Sequence, residues 1–183
     1  FIKGDSTSSP KQFDGLQARL TGSQVITQSA GACSLAKLDE AIDAVDEPTH
    51  LIMSRAMKRK FAVAQRSTSV GGYVTFSHDE FGKQVTTYNE LPILVADASD
   101  IATGYKPITA FGEASSSESI YVVSFREGML TGIQNGGIEV MDLGQQDSKP
   151  VMRTRIEWLS GIALMHPRAA ARYELITDVA ITA

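Results

Sequence analysis

The chain has one cysteine, Cys33, in 183 residues, which excludes an internal disulfide, and no second thiol stands at zinc or redox spacing. No apolar run approaches the 18 or so residues of a membrane-spanning helix, and no charged, then apolar, then small-residue segment resembles a signal peptide. Positive charge is not in excess. Seventeen Lys and Arg stand against 21 Asp and Glu, a net charge of −4, which argues against a general electrostatic grip on nucleic acid and leaves local basic patches open. The absence of glycine periodicity and of low-complexity tracts excludes collagen-like and disordered classes. What is present is ordinary globular material, 43% hydrophobic and 21% charged. A single globule of this length has a radius of gyration of about 16 Å and buries roughly 70% of its unfolded surface, enough for a core without metal or disulfide.

The chain opens on Phe1-Ile2-Lys3 and passes directly into Gly4-Asp5, which reads as the end of an ordered element and gives the expectation of a fragment or processed product. A turn-rich stretch from Gly4 to Pro10 leads to Phe13-Asp14-Gly15-Leu16, and the span from there to Gly31 reads as polar loop. Leu35, Leu38, Ile42 and Val45 share one face at spacings of three and four, predicting a helix with Ser34 as N-cap and Asp39, Glu40 and Asp43 on its wet side. Thr49 to Met53 reads as a buried strand. Ser54 caps a second helix to about Gln65, with Met57, Phe61 and Ala64 inward and Arg55, Lys58, Arg59 and Lys60 outward.

Tyr73 to Phe76, Gln84 to Tyr88 and Leu91 to Ala96 read as strands, the first two around a polar tip at Ser77 to Gly82. The stretch from Asp97 to Ser119 reads as irregular. Further strands are expected at Ser119 to Phe125 and Ile138 to Leu143, separated by a link punctuated by Gly128, Gly132 and Gly136-Gly137. Met152, Thr154, Ile156 and Trp158 alternate with Arg153, Arg155 and Glu157, the period of a half-buried strand. His166-Pro167 ends it, Arg168 to Arg172 reads as a helical turn, and Tyr173 to Thr182 as a last extended segment. The class is α+β, with helices early and mostly antiparallel strands late.

Chemistry is sparse. His50, His78 and His166 have no ligand-spaced partners, and no nucleophile elbow or phosphate-binding glycine loop occurs. Asp46-Glu47 and Asp79-Glu80 read as hydrated loop acids, and a small hydrolase using His78 with Asp79 or Glu80 is a distant alternative. The charged face of Arg153, Arg155 and Glu157, backed by an apolar one, fits an interaction surface better than an active site.

Residues in order along nearly the whole chain carry a resemblance. Phe1-Ile2-Lys3-Gly4-Asp5 with Phe13-Asp14-Gly15-Leu16, the helix from Leu35 followed by Thr49-His50-Leu51-Ile52-Met53-Ser54 and a basic helix, Asn89-Glu90-Leu91-Pro92-Ile93-Leu94-Val95, and Arg153 to Arg168 with His166-Pro167-Arg168 together resemble major capsid proteins of tailed bacteriophages, those with the Hong Kong ninety-seven fold. The resemblance implies an axial domain over 14–135, a peripheral-domain remnant over 1–13 and 136–165, and a return into the axial domain over 166–183. It also places the family's N-terminal arm, extended loop and spine helix before Phe1.

By that resemblance the chain is a structural virion protein and not an enzyme: a capsid subunit of a phage or prophage. It would self-assemble into pentamers and hexamers of an icosahedral shell, built in the host cytoplasm. The partners implied are copies of itself, then scaffold, portal and decoration proteins, with packaged DNA held weakly and non-specifically. No cofactor, metal or membrane is called for. The expected assembly residues are Arg66, Gly71, Gly72 and Tyr73 on an axial loop, and Met152, Arg153, Arg155, Ile156, Glu157 and Trp158 on the peripheral sheet. Asp147-Ser148-Lys149-Pro150-Val151 lacks the family's cross-linking asparagine, so no autocatalytic cross-link is expected. Exposure of Met152, Ile156 and Trp158 without a spine helix leads to the expectation of self-association or strand exchange through 136–165. An encapsulin-type compartment, which shares the fold, is the alternative.

Overall fold

The computed structural model describes residues 2, 4, 6, 7, 10, 12–64, 74–78, 84–96, 117–146, 149–177, 181 and 182. Its elements in chain order are α1 (Leu16–Arg19), a 3-10 turn (Gly22–Gln24), β1 (Val25–Gly31), α2 (Leu35–Asp43), β2 (His50–Met53), α3 (Arg55–Ala64), β3 (Val74–His78), β4 (Gln84–Tyr88), β5 (Leu91–Val95), β6 (Ser117–Val123), β7 (Leu130–Gln145), β8 (Met152–Leu164) and β9 (Ala170–Thr177). Seven strands form one sheet in the order β1-β9-β6-β2-β5-β4-β3, while β7 and β8 form a separate two-stranded ribbon. The architecture is mixed α/β. Among the described residues five strand pairings are antiparallel, as the sequence suggested, and two, β1 with β9 and β2 with β5, are parallel.

The two central strands explain the apolar runs. Leu51, Met53, Ile120 and Val122 face a cluster built with Leu38, Ile42, Met57 and Phe61 of α2 and α3. Ile52, Tyr121 and Val123 point the other way, into a second cluster with Leu16, Leu20, Leu130 and Ile162. A strand covered on both faces has no polar side to show, so β2 and β6 read as continuous apolar stretches. In α3 the inward set Met57, Phe61 and Ala64 is buried, and Arg55 and Arg59 are exposed, as the spacing predicted.

Capping follows the sequence at one helix and departs from it at the other. The buried Ser54 hydroxyl accepts the Met57 amide at 3.0 Å and donates to the Glu118 carboxylate at 2.5 Å, fastening α3 to β6. The Ser34 hydroxyl does not cap α2. Instead the Leu35 amide bonds to the Thr182 carbonyl at 3.0 Å, and the Ser34 amide donates to the Tyr173 hydroxyl at 3.0 Å. The returning C-terminal segment, bridged at Thr182, and Tyr173 of β9 take the place of a local cap.

Three further expectations are corrected. The span to Gly31 is not all loop: Val25–Gly31 is a strand on the edge of the sheet, where alternation with water leaves a polar-looking sequence. Arg168 to Arg172 is not a helical turn, because Ala170–Thr177 is a strand held between β1 and β6; Ala170 and Ala171 are small because both faces are closed. The glycines from Gly132 to Gly137 do not break the chain but lie inside the 16-residue β7. Of the polar tip expected at Ser77 to Gly82, Ser77 and His78 belong to β3 and the rest lies outside the described residues, as does most of the irregular stretch after Asp97.

Charge closes the seams. Arg172 and Glu174 pair on β9 at 2.7 Å with side chains 8% and 19% exposed, and Glu174 also accepts from the Thr27 hydroxyl of β1. Close backbone contact fixes Gly15, whose amide bonds to the Gly4 carbonyl at 2.8 Å; a Cβ there would sit 2.3 Å from the Ile2 carbonyl oxygen.

Candidate assembly surface

The ribbon begins inside the core and ends outside it. At its root Leu130 and Ile162 are 4% and 5% exposed, part of the second apolar cluster. From Ile133 outward along β7, and back along β8 to Leu159, the side chains lie open to solvent. Pairing is antiparallel, from Leu130 opposite Leu164 to Gln145 opposite Met152. The far turn closes on the Gln146 amide bonded to the Val151 carbonyl at 2.9 Å.

Directly opposed residues share a face of the sheet. Val140 opposite Ile156, with Ile138, Met152 and Trp158 in step, gives one face an apolar stripe whose members are 57–70% exposed. The other face carries Met141 opposite Arg155 and Glu139 opposite Glu157, with Arg153 beyond. Arg155 and Glu157 form an ion pair with both side chains about half exposed, a geometry that adds roughly 0–1 kcal/mol. The alternation read from the sequence is present, but the half-burial inferred from it is not: the apolar side of β8 faces water in the isolated chain. Fifteen large apolar side chains are exposed among the described residues, and ten of these lie on the ribbon or its far turn. A soluble monomer rarely concentrates so much apolar surface in one place.

The root is braced by charge. Asp46 and Glu47, in the turn after α2, meet arginines from the two turns that lead into and out of the ribbon. Arg126 pairs with Glu47, and Arg168 reaches Asp46 at 3.0 Å. The Arg168 guanidinium also donates to the Asp43 and Ala44 carbonyls at 2.7 and 3.2 Å, satisfying the C-terminal end of α2. His166 lies 3.8 Å from Asp46 and accepts the Arg168 amide. Of the acids read as hydrated loop residues, Glu47 is exposed and Asp46 partly so, and they also pair with arginines at the ribbon root. Between the ribbon root and the start of the chain lies an open groove of about 1010 Å³, lined by Phe13, Arg19, Ile133, Trp158 and Leu159 among others.

The expected site residues divide. Met152, Arg153, Arg155, Ile156, Glu157 and Trp158 lie together on β8. Arg66, Gly71, Gly72 and Tyr73 lie outside the described residues. Asp79 and Glu80 do as well, and His78 ends β3. His50 packs edge-on against Phe125 at 5.4 Å, a structural contact. No group of His, Cys, Asp and Glu able to hold a metal occurs among the described residues. None of their helices is long and apolar enough to cross a membrane. Cys33 is buried, and burial pushes its thiol up to about 12, a poor nucleophile. Sequence reasoning found the outer part of the partner strand, Ile138 to Leu143, and missed its continuation back to Leu130, because Gly132 and Gly136-Gly137 read as a link.

The described fold is similar to the chain of the holo-SrpI encapsulin complex from Synechococcus elongatus PCC 7942, solved by cryo-EM, with a TM-score of 0.68 over 92% of this chain at 15% identity. The fold is of the Hong Kong ninety-seven type. The chain spans 59% of the length of that encapsulin chain. In sequence no family model matches it, and no curated protein does. The likeness thus rests on architecture.

Proposed function

We propose that the chain is a shell-forming subunit whose work is to tile with copies of itself, and that its shell is an encapsulin-type compartment. The observation that carries this is the conjunction of a likeness to an encapsulin chain over 92% of this chain with an apolar ribbon that no other described residue covers. A tile needs many moderate contacts rather than a reaction centre, because misplaced subunits must leave before the lattice closes. In this reading residues 14–135 with 166–183 form the axial part of the tile. Residues 1–13 and 136–165 form the peripheral part that meets neighbours, with Met152 to Trp158 at the contact. The axial-loop residues Arg66, Gly71, Gly72 and Tyr73 belong to the same proposal.

A phage or prophage capsid subunit is the second reading, favoured by the ordered sequence motifs from Phe13 to Arg168. Contents separate the two. Electron microscopy of the protein expressed from its complete reading frame is expected to show closed particles. Co-purifying protein inside them supports the compartment; nuclease-protected DNA supports the capsid. Dispersed monomers at high concentration overturn both.

A further inference from the structure

We infer that β8 is a self-pairing edge: two copies of the chain join their β8 strands antiparallel about a two-fold axis at Ile156, making a four-stranded sheet in the order β7-β8-β8-β7. The inference deepens the shell reading and takes from it that copies meet through the ribbon.

Three observations converge on that edge. First, among the described residues β8 bonds to β7 alone, so over its exposed part, Met152 to Leu159, the second side carries backbone donors and acceptors with no strand partner. Second, all the irregularity of the ribbon falls on β7. From Asn135–Leu159 to Glu139–Glu157, β7 advances four residues while β8 advances two; from Asp142–Thr154 to Gln145–Met152, it advances three against two. Gly136 and Gly144, with φ of 71° and 70°, carry these bulges. Bulges blunt an edge against pairing; β8 has none, no proline, and no residue at positive φ. Third, a two-stranded ribbon is marginal in water, whereas a sheet of three or more strands with an apolar face is stable.

The order of residues on β8 then fixes the register. An antiparallel pair centred between two residues would set the apolar face of one copy beside the charged face of the other. Among pairings centred on a residue, Arg155 at the axis opposes itself, as does Glu157, and Thr154 at the axis opposes Arg153 to Arg155 twice. Trp158 at the axis makes no ion pair. With Ile156 at the axis, Arg155 of each copy faces Glu157 of the other, two attractive pairs without a like-charge pair, while Ile156 meets Ile156 and Thr154 meets Trp158 on the apolar side. A parallel in-register pairing opposes every charge to its own kind.

Charge exchange and cross-linking test this on the whole chain. Arg155→Glu and Glu157→Arg are each expected to weaken self-association, read by sedimentation equilibrium, by about tenfold or more, since each turns both attractive pairs repulsive. The double variant restores association to within a few-fold of the parent. Both positions are exposed, so far-UV circular dichroism and melting at high dilution, where the chain is monomeric, stay unchanged. Ile156→Cys is expected to join two copies through a bifunctional thiol-alkylating reagent of about 5 Å reach. Thr154→Cys is not, because opposed residues 154 lie roughly 14 Å apart in this register.

Particles that assemble with neither the charge-exchange pattern nor the link at 156 overturn the pairing and leave the shell reading standing. The link and the pattern without closed particles overturn the shell reading alone. A chain that stays monomeric overturns both.

Discussion

Two isoleucines on β8 give the sharpest contrast the ribbon offers. Ile162 is 5% exposed in the second apolar cluster, and Ile156, six residues earlier on the same strand, is 69% exposed. Truncating Ile162 to alanine leaves a cavity and is expected to cost about 2–4 kcal/mol, which lowers the melting temperature of a chain this size by roughly 5–15 °C. The same truncation at Ile156 removes a side chain already in water and changes monomer stability by no more than about 0.5 kcal/mol. Association inverts the ranking. If two copies meet across Ile156, each loses about 1–1.5 kcal/mol of apolar burial, about 2–3 kcal/mol together, or a 30- to 150-fold weaker constant. Urea denaturation followed by circular dichroism at high dilution reads the first quantity. The second is read by concentration-dependent emission of Trp158, the only tryptophan and itself on the apolar face, which shifts to the blue on burial. Equal destabilisation by both truncations at high dilution would mean that the ribbon packs within its own chain, and the reasoning would fail.

Three other expectations test the fold. Ser54→Ala removes the α3 cap and its tie to Glu118 and should lower stability by about 1–2 kcal/mol, measured by thermal melting; no change would show the hydroxyl bonds to be incidental. Glu90→Gly should stabilise by roughly 0.5–1 kcal/mol, because Asn89 and Glu90 turn from β4 to β5 at φ of 48° and 65°, a conformation that suits glycine; a loss on urea titration refutes the turn assignment. Alkali should unfold the protein through Cys33 and Tyr173, both raised to about 12, chiefly by burial, with the Ser34 amide lowering Tyr173 and nearby Cys33 raising it. The native state holds those protons while the unfolded chain releases them from about pH 9 for the thiol and 10 for the phenol, so stability is full below pH 9 and falls toward pH 12. Cys33→Ala should flatten that fall by about 1.4 kcal/mol per pH unit, and an unchanged slope would contradict it.

The parts of this fold that were legible in the sequence are those whose burial is decided locally. α3 showed its inward Met57, Phe61 and Ala64 because a helix against a sheet hides one stripe, and β2 and β6 showed apolar runs because both their faces are covered. What was hidden depends on distant partners. β1 looked like loop since only pairing with β9 makes Thr27-Gln28-Ser29 a strand; the alanines of β9 favoured a helix until β1 and β6 closed around them. β7 crosses its glycines because β8 pairs with it on either side of the bulges they carry. At the candidate surface the alternation of Met152 to Trp158 was readable, but which side meets water was not: an apolar face covered within a chain and one covered by another copy have the same period.

The claim that matters most is that this chain acts by joining copies of itself. Sedimentation velocity of the protein expressed from its complete reading frame tests it directly. The account predicts a large, uniform boundary from closed particles, lost on replacing Ile156 with a charged residue. A single slow monomer boundary at every concentration would contradict it.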